Sequence, residues 1–87
     1  MRRAVFPGSF DPITLGHENI IRRALPMFDE IVVAVGVNST KKTKFSLDQR
    51  MEMLRLVFKD VPQVRIESYK GLTVDFCAEI DAYWMLR

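Results

Sequence analysis

The sequence predicts an α/β fold: a Rossmann-like parallel sheet of about four strands with helices on both faces. Three observations predict it. Strand-like and helix-like segments alternate along the whole chain in the order β-α-β-α-β-α-β, and the connections between them are short. Residues 31–37 (Ile31, Val32, Val33, Ala34, Val35, Gly36, Val37) form a continuous apolar run rich in β-branched side chains, the pattern of a strand covered on both faces. Strands joined through helices in this way pair in parallel with right-handed crossovers.

Each element has its own signal. Residues 2–6 (Arg2, Arg3, Ala4, Val5, Phe6) read as a short buried strand stopped by Pro7-Gly8. After the turn-rich Ser9-Phe10-Asp11-Pro12, a helical pattern runs from Thr14 to Leu25, with Ile20, Ile21, Ala24 and Leu25 on one face and Pro26 near its end. The apolar second strand leads into a polar loop, residues 38–44. Ser46-Leu47-Asp48-Gln49 has capping-box spacing and opens a helix with the stripe Leu47, Met51, Leu54 and Phe58. Residues 64–68 alternate apolar and polar, as an exposed edge strand does. Gly71 precedes a third helix with Leu72, Phe76 and Ile80 in i, i+4, i+8 register, and residues 82–87 read as a fourth strand.

At 87 residues the chain is expected to form one domain, residues 1–87. Size scaling gives it a folded surface of roughly 5,300 Å² and burial of about 64% of the unfolded chain's surface. Its 48% hydrophobic content is too high for a disordered chain. The 13 basic and 11 acidic residues leave a net charge of +2, far from the dense basic stripe of a nucleic-acid-binding domain, so no nucleic-acid partner is expected. No stretch approaches the ~18 apolar residues of a membrane span, and no signal-peptide core follows Arg2-Arg3. The single cysteine, Cys77, forms no internal disulfide, and a reducing, cytoplasmic setting is expected.

In parallel α/β sheets ligands bind beyond the C-terminal ends of the strands, where strand order reverses. That rule singles out residues 7–16 and 38–45. The first loop lacks the Walker A and GxGxxG patterns, yet it suits a phosphate: Gly8 permits close backbone approach, Ser9 brings a hydroxyl, and a helix N-terminus follows. Gly16 lies in the first helical turn, where a side chain would crowd a ligand. His17, the only histidine, either caps and packs its helix or donates to a phosphoryl oxygen. Lys41-Lys42 is either a solvated loop pair or an anion contact.

The string from Phe6 through Gly8-Ser9-Phe10-Asp11-Pro12 to Gly16-His17 resembles the G-T/S-F-D-P-x-x-x-G-H signature of the nucleotidyltransferase superfamily. Thr14, where many members carry the first His of an HxGH pair, is typical of the bacterial phosphopantetheine adenylyltransferase branch. Residues 38–45, with Lys41-Lys42 before Phe45, and residues 68–77, around Gly71-Leu72-Thr73, are similar to two further segments of that family. The resemblance implies AMP transfer from ATP to 4′-phosphopantetheine, giving dephospho-coenzyme A and pyrophosphate. It implies His17 and Lys41 as catalytic residues, and Ser9, Phe10, Gly16 and His17 on ATP and its phosphates. Ser9, Lys41, Leu72, Thr73 and Arg87 would then contact the acceptor substrate. Mg²⁺ is implied through the ATP phosphates, without a dedicated protein metal site, and the family generally forms homohexamers. Family chains are nearly twice this long, so the 87 residues are expected to be the opening portion, truncated at the C-terminal side. The alternative reading is a catalytically inactive half-domain that binds phosphate or nucleotide, or self-associates.

Overall fold

The computed structural model describes residues 1–38 and 42–87. Four strands, β1 (Arg3–Gly8), β2 (Glu30–Gly36), β3 (Val64–Tyr69) and β4 (Trp84–Met85), form one parallel sheet in the order β3-β2-β1-β4. Three helices connect them: α1 (Leu15–Ala24), α2 (Leu47–Val57) and α3 (Thr73–Glu79). The register runs from Arg3 opposite Glu30 to Gly8 opposite Val35, and from Ile31 opposite Val64 to Gly36 opposite Tyr69.

The period-2 alternation of the strands divides the core in two. Ala4 and Phe6 of β1 with Ile31, Val33 and Val35 of β2 face Ile21 and Ala24 of α1 and Leu54 and Phe58 of α2. Val5, Val32 and Ala34 face the other way, onto Phe76, Cys77 and Ala82. Handedness explains the division. The sheet grows from β1 to β2 to β3 in one direction, so right-handed crossovers put α1 and α2 on one face. The chain then returns past β1 to β4, and the same handedness puts α3 on the opposite face. Val5, Ile31, Val32, Val33 and Val35 are fully buried, as a strand covered on both sides requires.

Several boundaries differ from the sequence reading. β1 continues through Pro7 to Gly8 instead of stopping before them. The Val5 carbonyl accepts the Leu86 N–H (2.8 Å), so residues 5 and 7 turn their backbone polar groups toward β4. β4 ends at Met85, and the missing N–H of Pro7 therefore costs the ladder no bond. Thr14 is the N-cap of α1 rather than its first residue, and Pro26 converts the end into a 3-10 turn over Leu25–Met27. β2 is shifted by one residue toward the N-terminus, and β3 reaches Tyr69. Leu72, expected to head the buried stripe of α3, is its N-cap and is 65% exposed.

The largest difference is in the fourth strand, which is two residues long instead of residues 82–87. Trp84 meets the Phe28 ring edge-on at 5.9 Å, and the Arg2 guanidinium covers both rings at 5.2 and 5.5 Å. This leaves Tyr83 exposed and Trp84 and Met85 half exposed along an unpaired edge. The total surface, 5680 Å², is larger than the size-scaled expectation, consistent with that open edge.

Candidate active site

The loop between β1 and α1 is built by Phe10 and His17. Phe10 has φ +47, the left-handed region that side chains other than glycine adopt at a cost of about 1–3 kcal/mol. Burial offsets that cost: Phe10 is 3% exposed, and its ring meets the Phe6 ring edge-on at 5.4 Å. Gly8 leaves room for this packing, because a Cβ would stand 3.1 Å from the Phe10 ring and press on it. His17 closes the cluster, with its imidazole edge-on to Phe10 at 5.0 Å and to Phe6 at 5.9 Å.

His17 is also the third helical residue of α1 and completes a reciprocal cap. Thr14 Oγ1 accepts the His17 N–H (3.3 Å), and the Thr14 N–H donates to His17 Nδ1 (3.1 Å). A Glu or Gln usually makes this return contact. Its consequence here is chemical: Nδ1 serves as acceptor, so the neutral ring carries its proton on Nε2 as a fixed donor. The two sequence readings of His17, cap and phosphoryl donor, are therefore compatible.

A cavity of about 540 Å³ opens at the C-terminal ends of β1, β2 and β3. Among the described residues, Pro7, Gly8 and Ser9 form one wall, Gly36, Val37 and Asn38 the next, and Tyr69 and Gly71 the third, with Thr43 and Arg50 beside them. Strand order reverses between β1 and β4, and the cavity lies on the β2 side of that point, with no described residue of β4 in its lining. Asp11 ties its two loops together. Its carboxylate accepts the Lys44 N–H (2.6 Å) and the Phe45 N–H (2.9 Å). Desolvation pushes the Asp11 carboxyl up. Those two N–H groups and the charges of Arg50 and Lys44 outweigh it and hold the group below its ordinary value of 3.8.

The expected site residues are distributed unevenly around this frame. Ser9 lines the cavity, and its carbonyl accepts from Arg50 Nη1 (2.9 Å). The side chain of Phe10 is core, and Phe10 is not among the cavity-lining residues. Gly16 is exposed, with only Thr14 Oγ1 near a would-be Cβ, at 3.6 Å. His17 stands beside the Phe6–Phe10 pair and is not among the cavity-lining residues. Thr73 Oγ1 lies 2.8 Å from Tyr69 Oη, next to the cavity wall, and Leu72 is exposed at the start of α3. Arg87 is exposed beyond β4. Lys41 lies outside the described residues.

The sequence reading gave no role to two residues of this frame. Asp11 stood in the turn-rich string and in the signature that it resembles, with no contact assigned to it. Arg50 did leave a signal: it stands at i relative to Leu54 (i+4) and Phe58 (i+8), on the face that is buried. Among the described residues no group of three or more His, Cys, Asp or Glu side chains gathers to hold a metal ion, and no helix is long and apolar enough to cross a membrane.

Comparison with known proteins bears on the family and the fold. Curated relatives named phosphopantetheine adenylyltransferase include that of Christiangramia forsetii, 58% identical over all 87 residues, and that of Flavobacterium psychrophilum, 54% identical. Another is that of Bacteroides fragilis, at 46%. Each alignment covers 100% of this chain but 58% of the relative, so the chain spans little more than half of their length. Among solved structures, a lipopolysaccharide core biosynthesis protein from Thermoplasma volcanium superposes with a TM-score of 0.73 at 22% identity, covering 98% of this chain and 72% of that one. That likeness establishes the Rossmann-like fold. A family description, cytidylyltransferase-like, matches residues 5–87, from the first buried strand to the last residue. With the parallel sheet, the capped His17 and the cavity at the strand ends all within the matched span, the chain belongs to the cytidylyltransferase-like family.

Proposed function

We propose that these residues carry the first part of an adenylyl-transfer site that moves AMP from ATP to 4′-phosphopantetheine, yielding dephospho-coenzyme A and pyrophosphate. The observation that carries this reading is identity of 44–58% with several phosphopantetheine adenylyltransferases over all 87 residues. The reaction suits the side chains present. The nucleophile is a phosphate monoester, already anionic at neutral pH, so no general base is needed. Catalysis then rests on positioning two polyanions and on donors aimed at the α-phosphate. His17 Nε2–H is such a donor, oriented by the Thr14 cap. Lys41, by its place in the motif, adds charge to the transferring group. Ser9, Phe10 and Gly16 would bring backbone and hydroxyl groups to the phosphates, and Leu72, Thr73 and Arg87 would contact the pantetheine-bearing substrate. Mg²⁺ would arrive with the ATP phosphates, which needs no metal cage in the chain. This chemistry belongs in the cytoplasm.

The test is a chimaera in which this chain is continued by the remaining residues of the C. forsetii relative. With Mg·ATP and 4′-phosphopantetheine it should release pyrophosphate and form dephospho-coenzyme A. A folded chimaera that binds neither substrate overturns the proposal. The 87 residues alone should show little turnover, because they span only 58% of the length of the relatives on which this reading rests. Self-association is a second reading, favoured by Tyr83, Trp84 and Met85 along the open edge of β4. Light scattering of the 87-residue chain at rising concentration reads it directly, and an unchanging monomer mass removes it.

A further inference from the structure

Arg50 is the one buried charged residue among those described, at 5% exposed. It is held entirely by carbonyl oxygens: Nε donates to Phe45 O (3.2 Å) and Ser46 O (3.4 Å), and Nη1 donates to Ser9 O (2.9 Å). None of the ion pairs among the described residues involves Arg50. The nearby Asp11 carboxylate is committed to the Lys44 and Phe45 N–H groups. A buried guanidinium that feels the Asp11 charge but makes no direct ion pair is under-compensated, because carbonyl dipoles return only part of the lost hydration.

The geometry also leaves one donor arm over. Nη2 makes no hydrogen bond among the described residues, yet no fully enclosed side-chain nitrogen lacks a partner. Nη2 therefore keeps surface, and the open space beside Arg50 is the 540 Å³ cavity it helps to line. Among the described residues no Asp or Glu lines that cavity, and the other polar side chains are Ser9, Asn38, Thr43 and Tyr69. Among the described residues the cavity thus combines one pinned cation with neutral hydrogen-bonding groups.

We propose that Arg50 is an oxyanion-binding residue of this cavity, with Nη2 donating to a phosphate oxygen of a bound substrate while Nε and Nη1 stay fixed on the loop carbonyls. The inference rests on the reading of the cavity as a substrate site. A guanidinium pinned at two of its three nitrogens presents the third in one direction, so little side-chain entropy is lost on binding. The phosphate belongs either to the acceptor or to the nucleotide, and the two sources separate by experiment.

The test uses the 87-residue chain labelled with ¹⁵N. Inorganic phosphate, then pyrophosphate, should shift the Arg50 side-chain N–H signals together with the amides of Gly8, Gly36 and Gly71. Arg50→Met should weaken phosphate binding at least about tenfold, as loss of a charge-assisted hydrogen bond does, and Arg50→Lys should restore part of it. If the acceptor is the source, Arg50→Met weakens 4′-phosphopantetheine but leaves pantetheine unchanged. If the nucleotide is the source, it weakens ATP instead. Circular dichroism checks each variant; should Arg50→Met fail to fold, the wild-type titration decides alone. Shifts confined to the amides at the start of α1, or unchanged phosphate affinity in a folded Arg50→Met, overturn the proposal. The adenylyl-transfer reading would survive that result if pantetheine and 4′-phosphopantetheine still bound. Failure of the folded chimaera to bind either would remove that reading, while the inorganic phosphate arm still judged Arg50.

Discussion

Substitutions at His17 separate its two roles, because Glu and Gln can both occupy the third position of a capping box. In His17→Gln and His17→Glu the side-chain oxygen takes over the Thr14 N–H, which His17 Nδ1 accepts at 3.1 Å. Both lose the edge contacts with Phe10 and Phe6, at 5.0 and 5.9 Å. Such pairs contribute about 0.5–1.5 kcal/mol each, so both variants should lose about 1–2 kcal/mol for a half-buried ring. His17→Ala also loses the cap bond, adding about 0.5–1 kcal/mol. At about 4–8 °C per kcal/mol for a domain of this size, Tm should fall by about 5–15 °C for Gln and Glu and further for Ala. Turnover should order differently. Gln still turns an N–H outward, whereas Glu presents a second carboxylate oxygen to an anionic phosphate. In the chimaera His17→Glu should lose about 10²–10³ in pyrophosphate release, the scale of removing a transition-state donor, with His17→Gln between it and wild type. The assays are thermal melts followed by circular dichroism and steady-state pyrophosphate release. Equal turnover for His17→Gln and His17→Glu would refute the donor role. Melting of His17→Gln as low as His17→Ala would refute the cap. A ring ¹⁵N spectrum placing the proton on Nδ1 would contradict the acceptor geometry directly.

Three more outcomes are expected. The Asp11 carboxyl has a folded pKa below its ordinary 3.8, so its hold on residues 44 and 45 is fully present above that value and is lost as pH falls through the lower folded pKa; the Lys44 and Phe45 amide signals should move with a midpoint below 3.8, and a midpoint above it contradicts the latch. Leu54→Ala removes a side chain with no exposure between α2 and the sheet, which should cost about 2–5 kcal/mol and lower Tm by at least about 10 °C; a change under 1 °C would place Leu54 outside the core. Gly8→Ala puts a methyl 3.1 Å from a Phe10 ring that is itself buried, so a loss of about 1–3 kcal/mol is expected in urea titrations, and wild-type stability would show that the ring can yield.

Much of the fold could be read along the chain because its signals are local. The buried run through residues 31–37, the Ser46–Gln49 capping box and the alternation in β3 all fell where expected, within a residue or two. The errors came where a distant partner decides the local conformation. Pro7 looks like a stop until β4 is seen to end short of it. Leu72 continues an apolar stripe in sequence, but α3 begins only after it. Phe10 sits in a ligand-like motif, but its ring fills the space between Phe6 and His17.

The candidate site divides in the same way. By itself the sequence determined the element order, the motif ending in Gly16-His17 and the residue types suited to phosphate. Each is written in neighbours at spacings of two to four residues, where period and capping chemistry operate. Only the tertiary structure decided that α1 and α2 share a face, and that Arg50 reaches Ser9 across 41 positions and Asp11 reaches Lys44 across 33. Those contacts exist because right-handed crossovers bring the ends of β1 and β2 side by side and set the start of α2 over both. A buried guanidinium beside an anion-sized cavity is a property of that arrangement, and no local pattern records it.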